Sequence, residues 1–246
     1  MVFSRRSILE CELLPCTRCL SVLYRSWHLQ REDVPPTVDG MLGGLAQVAP
    51  ADEKESLQLL KRLKSSRPEM SWKRAADLGG GIGRVTKNVL AKHFSSVDLI
   101  EQNSSLTDMA QTEFLADCPQ LGSVAAVGLQ SWLPEKSTYD CVWMQWVAGY
   151  VLDPHFIALL RRISACLAPG GVLVVKENVT HPATCALWMD HADASTIRSR
   201  QYFQELFALG GLRVIRVTQQ REWPADLYPI QVWVLEADGA QDATPP

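Results

Sequence analysis

A glycine-rich turn between a strand and a helix limits most strongly how this chain can fold. The turn is Gly79-Gly80-Gly81-Ile82-Gly83, and it follows the short predicted strand 74–78. The next segment places Val85, Val89 and Leu90 on one helical face. Glycines lack Cβ atoms, so the backbone can turn tightly here and approach a bound molecule. Strand, glycine turn and helix in this order predict the opening unit of a nucleotide-binding α/β fold.

Predicted helices and strands alternate along the rest of the chain. Further helices are predicted over residues 51–63, 106–115, 154–167 and 196–209. Further strands are predicted over 97–100, 124–127, 139–145, 172–176, 212–218 and 230–235. The alternation predicts a mostly parallel sheet with helices on both faces, and the last strand should be antiparallel because no long helix precedes it. With 47% hydrophobic residues over 246 positions, we expect one α/β domain with seven strands and a Rossmann-like fold.

Charge and cysteine content exclude several classes of protein. The formal net charge of -3 gives no general attraction to nucleic acid or to an anionic membrane. No apolar run approaches the ~20 residues of a membrane helix. The seven cysteines are odd in number and scattered, which is typical of free thiols in a reducing compartment. Cys16 and Cys19 form a CxxC pair, but no second pair lies at metal-binding spacing, so we expect no metal site.

The two ends of the chain differ in composition from the middle. Residues 1–33 begin with a basic, Ser-containing segment, and we interpret them as an N-terminal extension. A transit peptide stays open as an alternative for this segment. Residues 239–246 are small and polar and end in two prolines, which predicts a flexible tail. The predicted domain therefore spans residues 34–238.

An acidic residue at the end of the second predicted strand indicates which cofactor binds. Glu101 lies 18 residues after Gly83. A carboxylate at this position can accept hydrogen bonds from both ribose hydroxyls of an adenosine cofactor. The spacing G-x-G-x-G with Asp77 just before it is the form found in methyltransferases, whereas dinucleotide binding requires G-x-G-x-x-G. The predicted cofactor is therefore S-adenosylmethionine.

Polar and aromatic residues follow the strands that should border the site. Gln145-Trp146 and Glu177-Asn178 come at or just after the carboxyl ends of predicted parallel strands, where α/β proteins bind their ligands. Further along, Asp190, Asp193 and Ser195 fall in the loop before the helix predicted from residue 196, and two carboxylates there favour a cationic substrate. The alternative interpretation is that Ser195 or Asp193 only caps that helix.

Several motifs together resemble one family, the eukaryotic protein α-N-terminal methyltransferases. The resemblance covers about residues 34–234 and is carried by Val34-Pro-Pro-Thr-Val-Asp-Gly-Met-Leu-Gly-Gly44, Asp77-Leu-Gly-Gly-Gly-Ile-Gly-Arg-Val-Thr-Lys87, Gly128-Leu-Gln130, Tyr139-Asp-Cys-Val-Trp-Met-Gln-Trp-Val147, Val175-Lys-Glu-Asn178 and Asp190-x-x-Asp193-x-Ser195. It implies a class I methyltransferase fold with an N-terminal helical lid. It further implies transfer of methyl groups from S-adenosylmethionine to the α-amine of proteins that begin Xaa-Pro-Lys or Xaa-Pro-Arg after loss of the initiator Met.

The resemblance also assigns the cofactor site residue by residue. It implies that S-adenosylmethionine is held by Gly79, Gly81, Arg84, Glu101, Gln102, Leu129, Gln130 and Gln145. Arg84 would lie near the methionine carboxylate of the cofactor. For the start of the substrate peptide, Leu42 and Leu227 would line the slot for the proline, Trp146 would border the first residue, and Asn178 would orient the amine.

The resemblance also assigns residues that would bind the peptide around its basic third position. The resemblance implies that Asp190, Asp193 and Ser195 receive this residue and that Tyr228 closes the groove.

A backbone amine has a pKa of ~7.7–8.0, so much of it is protonated near neutrality and must lose a proton before it can react. We hypothesise that Asp193 accepts this proton while Asn178 holds the amine.

The chain departs from the family's usual pattern in four places. Gln30-Arg31 stands where a Tyr-Trp pair is usual, and Tyr150 stands where a His is common. A tyrosine with a pKa of ~10 is a poor base at neutral pH, so either Asp193 takes the proton or turnover is slower. Glu101 and Glu177 replace Asp and keep the charge on a longer side chain.

Two rival functions share the cofactor argument. One is a methyltransferase that acts on a small amine or on another site in proteins, and the other is a weakly active adaptor that binds S-adenosylmethionine. The Pro-Pro lid and the two aspartates favour protein substrates, bound through their first three residues. From the reduced cysteines and the resemblance, we expect the protein in the cytoplasm and nucleus. The sequence leaves the oligomeric state open.

Overall fold

The computed structural model describes residues 34–180, 186–190 and 195–239. The predictions for the extension 1–33, for the Cys16–Cys19 pair and for Asp193 concern residues outside these ranges, as does the tail from residue 240. Among the described cysteines, Cys118, Cys141 and Cys166 are free thiols. No helix in the described ranges is long and apolar enough to cross a membrane.

The described elements follow the predicted alternation. The helices are Val38–Met41 (α1), Ala49–Ser66 (α2), Arg84–Asn88 (α3), Ser104–Met109 (α4), Asp153–Cys166 (α5) and Arg200–Leu209 (α6). Short 3-10 turns lie at Ala46–Val48, Leu90–Lys92 and Ala148–Tyr150, and a π-helical turn at Ala110–Phe114 continues α4. The strands are Arg74–Leu78 (β1), Ser96–Glu101 (β2), Leu121–Ala126 (β3), Tyr139–Gln145 (β4), Leu167–Asn178 (β5), Leu187–Asp190 (β6), Ser195–Arg198 (β7), Leu212–Gln219 (β8) and Ile230–Ala237 (β9).

Seven of these strands form one sheet in the order β3-β2-β1-β4-β5-β9-β8. The first five pair in parallel, and β9 runs antiparallel to both β5 and β8. The predicted fold is therefore confirmed. Successive residues of β4 point to opposite faces, so Val142 and Met144 pack against α5 and α6 while Cys141 and Trp143 pack against α2 and α3. Burial on both faces explains why this strand is apolar along most of its length.

The segment predicted as one helix over residues 196–209 is instead a strand followed by a shorter helix. β7 pairs antiparallel with β6, so Asp190 and Ser195 lie on a two-stranded hairpin rather than in a loop. α6 begins at Arg200, and the Ser199 hydroxyl accepts a hydrogen bond from the Tyr202 amide at 3.2 Å. Ser199 is therefore the N-cap of this helix, and the interpretation of Ser195 or Asp193 as the cap is wrong. Backbone pairing with β6 outweighs the helical pattern of residues 196–198.

Candidate active site

The glycine turn after β1 is fixed by backbone contacts to the end of β2. The amides of Gly79 and Gly80 both donate to the Ile100 carbonyl, at 2.7 and 3.3 Å. The next residue, Glu101, is buried, and its Oε2 accepts a hydrogen bond from the Gly81 amide at 3.1 Å. Its Oε1 accepts one from the Asn103 amide at 3.0 Å. These bonds hold the Glu101 carboxylate against the glycine turn.

Two glycines of the turn cannot be replaced without moving their neighbours. Gly79 and Gly81 have φ angles of 67° and 57°, in the left-handed region that favours glycine. A Cβ atom on Gly79 would lie 2.4 Å from Val147 Cγ2, and one on Gly81 would lie 2.5 Å from Met41 Sδ. The turn therefore packs against both the loop after β4 and the N-terminal lid helix α1. The lid's Pro-Pro segment leads into α1, whose N-cap is Thr37.

A cavity with about 740 Å³ of empty space opens on this turn. A smaller hollow of about 290 Å³ adjoins it, since Gly79 and Glu101 line both spaces. All eight predicted cofactor residues line one or both of these spaces. They are Gly79, Gly81, Arg84, Glu101, Gln102, Leu129, Gln130 and Gln145. Their chemistry fits S-adenosylmethionine, because a cation and a ribose-binding carboxylate border the same cavity. We name this combined space the cofactor cavity.

Arg84 is buried beside two carboxylates of α2. Its guanidinium forms ion pairs with Asp52 at 2.8 Å and with Glu53 at 3.1 Å. Lys176 on β5 is 1% exposed and pairs with Asp52 from the other side. Burial alone would raise the pKa of Asp52, but the charges of Lys176 and Arg84 outweigh it and hold this pKa below its ordinary value. Asp52 and Lys176, which lie far apart along the chain, carry no site prediction from the sequence, yet they anchor the predicted cofactor residue Arg84.

Gln145 lies at the end of β4, where the sequence predicted a cofactor contact. Its Nε2 donates to both Asp52 carboxylate oxygens, at 2.9 and 3.0 Å, and its Oε1 accepts from Trp143 Nε1 at 3.0 Å. Both polar ends of this amide are therefore engaged by protein groups. Gln145 lines the cofactor cavity and at the same time joins it to the Asp52 ion pairs.

The predicted proline slot is an apolar cluster next to the cofactor cavity. Leu42 of the lid, Trp146 after β4 and Leu227 before β9 pack together and are all buried. Trp146 has a φ of 54°, and its Nε1 has no hydrogen-bond partner among the described residues. Trp223, which the sequence analysis missed, lies 6.1 Å from Trp146 between ring centres. Its Nε1 donates to the Tyr228 carbonyl at 3.1 Å, so it also orients the predicted groove-closing residue.

A third space of about 230 Å³ lies at the ends of β4 and β5, and we name it the acceptor cavity. It is lined by Trp146, Gly149, Tyr150, Glu177, Asn178, Ser195, Thr196 and Ile197. The structure therefore brings together four residues that the sequence assigned to the substrate or to catalysis: Trp146, Tyr150, Asn178 and Ser195. Trp146 lines both this space and the cofactor cavity, so the two are neighbours.

Glu177 is a buried carboxyl group in the wall of the acceptor cavity. Its Oε1 accepts a hydrogen bond from the Ala148 amide at 2.7 Å. Burial raises the pKa of Glu177 to about 7. The sequence predicts a position beside the site for Glu177 but no role. Its bond to Ala148 fixes the turn that carries Tyr150.

The same turn is held from the other side by β7. The Arg198 guanidinium is buried and donates to the carbonyls of Ala148 at 2.8 Å and Val151 at 2.7 Å. It also pairs with Asp153 at 2.7 Å. The Thr196 hydroxyl donates to the Gly149 carbonyl at 2.9 Å. These bonds connect the hairpin strand that carries Ser195 with the turn that carries Tyr150.

Asp190 belongs to β6, the other strand of the hairpin, and Tyr228 packs against the same strand. Asp190 is the last residue of β6, directly opposite Ser195 on β7. Tyr228 packs its ring 6.0 Å from that of Trp188 on β6, an aromatic residue that sequence analysis missed. Asp193 lies outside the described residues. In the parts of the chain that are described, no group of three or more His, Cys, Asp or Glu side chains is arranged to hold a metal ion.

The strand order, the glycine turn and the carboxylate at the end of β2 define a class I S-adenosylmethionine-dependent methyltransferase. Residues 23–236 match the family described as "AdoMet dependent proline di-methyltransferase", and the chain belongs to this family. It is 37% identical over 217 residues to Alpha N-terminal protein methyltransferase 1 of Dictyostelium discoideum, covering 87% of this chain and 79% of that protein. It is 31% identical over 205 residues to human N-terminal Xaa-Pro-Lys N-methyltransferase 1, covering 83% and 91%.

Solved structures agree with this placement. An S-adenosylmethionine-dependent methyltransferase of Leishmania major superposes with a TM-score of 0.77 at 32% identity, covering 88% of this chain and 82% of that one. A Haemonchus contortus phosphoethanolamine N-methyltransferase shares the fold, with a TM-score of 0.70 at 18% identity over 92% of this chain and 51% of that one. The chain is therefore an enzyme that uses S-adenosylmethionine as its methyl donor.

Proposed function

We propose that this enzyme methylates the free α-amino group of proteins that begin Xaa-Pro-Lys or Xaa-Pro-Arg once the initiator Met has been removed. The observation that carries the proposal is the position of Trp146, which lines the cofactor cavity, the acceptor cavity and the apolar slot with Leu42 and Leu227. A proline ring in that slot would set the preceding residue, and thus its amine, beside Trp146 and Asn178. The names of the relatives point to the same substrates.

The chemistry of the cavity walls supports a peptide rather than a small amine. The Trp146 N–H is buried without a partner among the described residues, and leaving such a donor unsatisfied costs about 1–3 kcal/mol. A backbone carbonyl of a bound peptide can accept from it. Asp190, opposite Ser195 on the hairpin, supplies negative charge for a basic third residue. A small amine would use neither the proline slot nor this carboxylate.

The enzyme must deprotonate the amine and orient it. S-adenosylmethionine, when bound, supplies a methyl group activated by a positively charged sulfur. We assign Asn178 the role of orienting the amine and Asp193 the role of accepting its proton, directly or through water. Tyr150 lines the same cavity, and we assign it to positioning the substrate.

Mass spectrometry of a Ser-Pro-Lys peptide incubated with enzyme and S-adenosylmethionine tests the function. Methyl groups should appear on this peptide and not on Ser-Ala-Lys or on an N-acetylated Ser-Pro-Lys control. Methylation of the acetylated peptide would identify a different acceptor atom. Binding of S-adenosylhomocysteine without any methyl transfer would favour the adaptor, and transfer to small amines alone would favour the other alternative.

Two substitutions test the assigned roles. Asp193→Asn should lower kcat about 100-fold or more, as expected for loss of a general base, while the Kd for S-adenosylhomocysteine stays unchanged. Equal activity in this variant would remove Asp193 from the mechanism. Asn178→Lys places a cation against the amine and should abolish turnover while preserving cofactor binding. We further propose that the enzyme acts in the cytoplasm and nucleus, which microscopy of the tagged full-length chain would check.

A further inference from the structure

The register of the β6–β7 hairpin places four side chains on one face. Trp188 lies directly opposite Ile197, and Asp190 lies directly opposite Ser195. Directly opposed residues project to the same side of a sheet, and residues two apart along a strand share that side. Trp188 and Asp190 therefore lie on the face that carries Ser195 and Ile197, two residues of the acceptor cavity wall.

An aromatic pair joins this face to the loop before β9. The ring centres of Trp188 and Tyr228 are 6.0 Å apart, and their planes meet at 34°. Tyr228 is buried and follows Leu227 of the proline slot, whereas Trp188 is half-buried and keeps part of its ring exposed. The pair thus lies next to the slot and connects it to the hairpin.

We propose that Trp188, Tyr228 and Asp190 form a subsite for the cationic side chain of the third substrate residue, and that this subsite favours arginine over lysine. The inference rests on the proposed function, because it assumes that the peptide enters through the proline slot. It adds Trp188 to the substrate site and names a preference within the class of basic residues.

The preference follows from the difference between the two cations. A guanidinium group is planar and weakly hydrated, so it can lie on an aromatic face while its N–H groups pair with a carboxylate. A lysine ammonium is compact and strongly hydrated, and it loses more of its hydration on meeting an indole ring. An aromatic face next to a carboxylate is therefore better matched to arginine than to lysine.

Calorimetry with four ligands and two enzymes tests the subsite. Wild type and Trp188→Leu are saturated with S-adenosylhomocysteine and titrated with peptides that begin Ser-Pro-Arg, Ser-Pro-Lys, Ser-Pro-citrulline and Ser-Pro-Gln. Citrulline has nearly the shape of arginine without its charge. In wild type, the arginine peptide should bind about 5-fold tighter than the lysine and citrulline peptides, in the range of a partly desolvated cation–π contact. In Trp188→Leu, the preference for arginine over lysine should fall to within 2-fold of unity. The preference for arginine over citrulline should fall at least 2-fold, and the remainder comes from the Asp190 carboxylate.

Two results would overturn the subsite. The first is equal weakening of the arginine and citrulline peptides in Trp188→Leu, which would make Trp188 an apolar wall that does not sense charge. The second is equal affinity of wild type for arginine and lysine. Trp188→Phe, which keeps a smaller aromatic face, should retain part of the preference for arginine over citrulline. An unchanged Kd for S-adenosylhomocysteine in each variant verifies that the fold is intact.

Leu42→Ala is the matched control, because Leu42 packs in the proline slot but belongs to a segment separate from Tyr228 and the hairpin. It should weaken all four peptides by similar factors and leave the ratio of arginine to citrulline unchanged. Failure of the proposed function is a separate outcome: wild type would then methylate none of the Ser-Pro peptides. A wild type that methylates them but lacks the arginine preference contradicts only the subsite.

Discussion

The guanidinium carbon of Arg84 lies 5.6 Å from the ring centre of Trp146. Arg84 lines the cofactor cavity, and the ring that it contacts lines both the cofactor cavity and the acceptor cavity. Ion pairs with Asp52 and Glu53 fix the guanidinium in this position. A change in the position of Arg84 must affect the wall that the two cavities share.

Replacing Arg84 should weaken binding on both sides of that wall. Arg84→Lys keeps the charge but loses the planar group that contacts Trp146 and pairs with two carboxylates. We expect the Kd values for S-adenosylhomocysteine and for a Ser-Pro-Lys peptide each to rise about 10-fold, as measured by calorimetry. Lys87→Met is the control, since Lys87 lies on the same helix but pairs with Asp117 and Phe114 outside the cavities. If Arg84→Lys raises only the Kd for S-adenosylhomocysteine, the contact between Arg84 and Trp146 does not couple cofactor binding to peptide binding.

Two arginines outside the predicted site should affect its two halves separately. Arg198 donates to the carbonyls of the turn that carries Tyr150, whereas Arg162 donates to the carbonyls of Leu129 at 2.8 Å and Gln130 at 3.2 Å. Arg198→Lys should raise KM for the peptide or lower kcat by about 5- to 10-fold with little change in KM for the cofactor. Arg162→Lys should raise KM for the cofactor alone. Steady-state kinetics with each substrate varied in turn measure this split, and equal effects on both KM values would mean only general destabilisation.

The parts of the site that follow single strands were predictable from the sequence. Local geometry that every parallel sheet shares determines the positions of the glycines at the βα turn, of Glu101 at the end of β2 and of Asn178 at the end of β5. Their order along the chain was enough to place them at one edge of the sheet.

The rest depends on contacts between distant segments, which no local pattern encodes. Asp52 and Lys176 are 124 positions apart, and their pairing exists only because α2 packs across β5. The hairpin β6–β7 was missed because Ser195–Arg198 has too few residues to show a strand pattern and runs into a true helix. Trp188 and Trp223 gave no signal as site residues, since isolated tryptophans are more often part of a core.

Loss of the Lys176 ammonium should destabilise the fold far more than loss of an exposed lysine. Lys176 is buried against Asp52 and also donates to Ser56 Oγ at 3.0 Å. Lys176→Met leaves a buried carboxylate with only part of its compensating charge, and we expect a loss of about 2–4 kcal/mol in the free energy of unfolding. Lys54→Met removes an exposed pair with Glu222 and should cost less than about 1 kcal/mol. Urea titrations at pH 7 measure the free energy of unfolding of both variants. Similar losses in the two variants would show that the buried ion pairs of Lys176 add no more stability than an exposed pair.

Glu177 should make the protein less stable as pH rises. Its pKa is raised to about 7 in the folded enzyme by burial, above the usual value of 4.5 that the unfolded chain should show. The unfolded state therefore releases this proton first, so stability falls between about pH 4.5 and 7 and is level outside that window. The shift corresponds to a penalty of about 3 kcal/mol at pH 8 that is absent at pH 4. Glu177→Gln keeps an oxygen that can accept from the Ala148 amide, but it does not titrate.

We therefore expect Glu177→Gln to gain stability relative to wild type as pH rises from 4 to 8, by about 2–3 kcal/mol over that range. Asp77, whose pKa burial raises to about 6, contributes equally to both proteins and cancels in the difference. Urea unfolding at pH 4, 6 and 8 measures the effect, and Glu69→Gln, which removes an exposed carboxylate, controls for the change in net charge. A constant difference between wild type and Glu177→Gln at all three pH values would show that the fold does not raise the pKa of Glu177 above its value in the unfolded chain. Glu177 would then be ionised at neutral pH, as a fixed charge in the acceptor cavity wall.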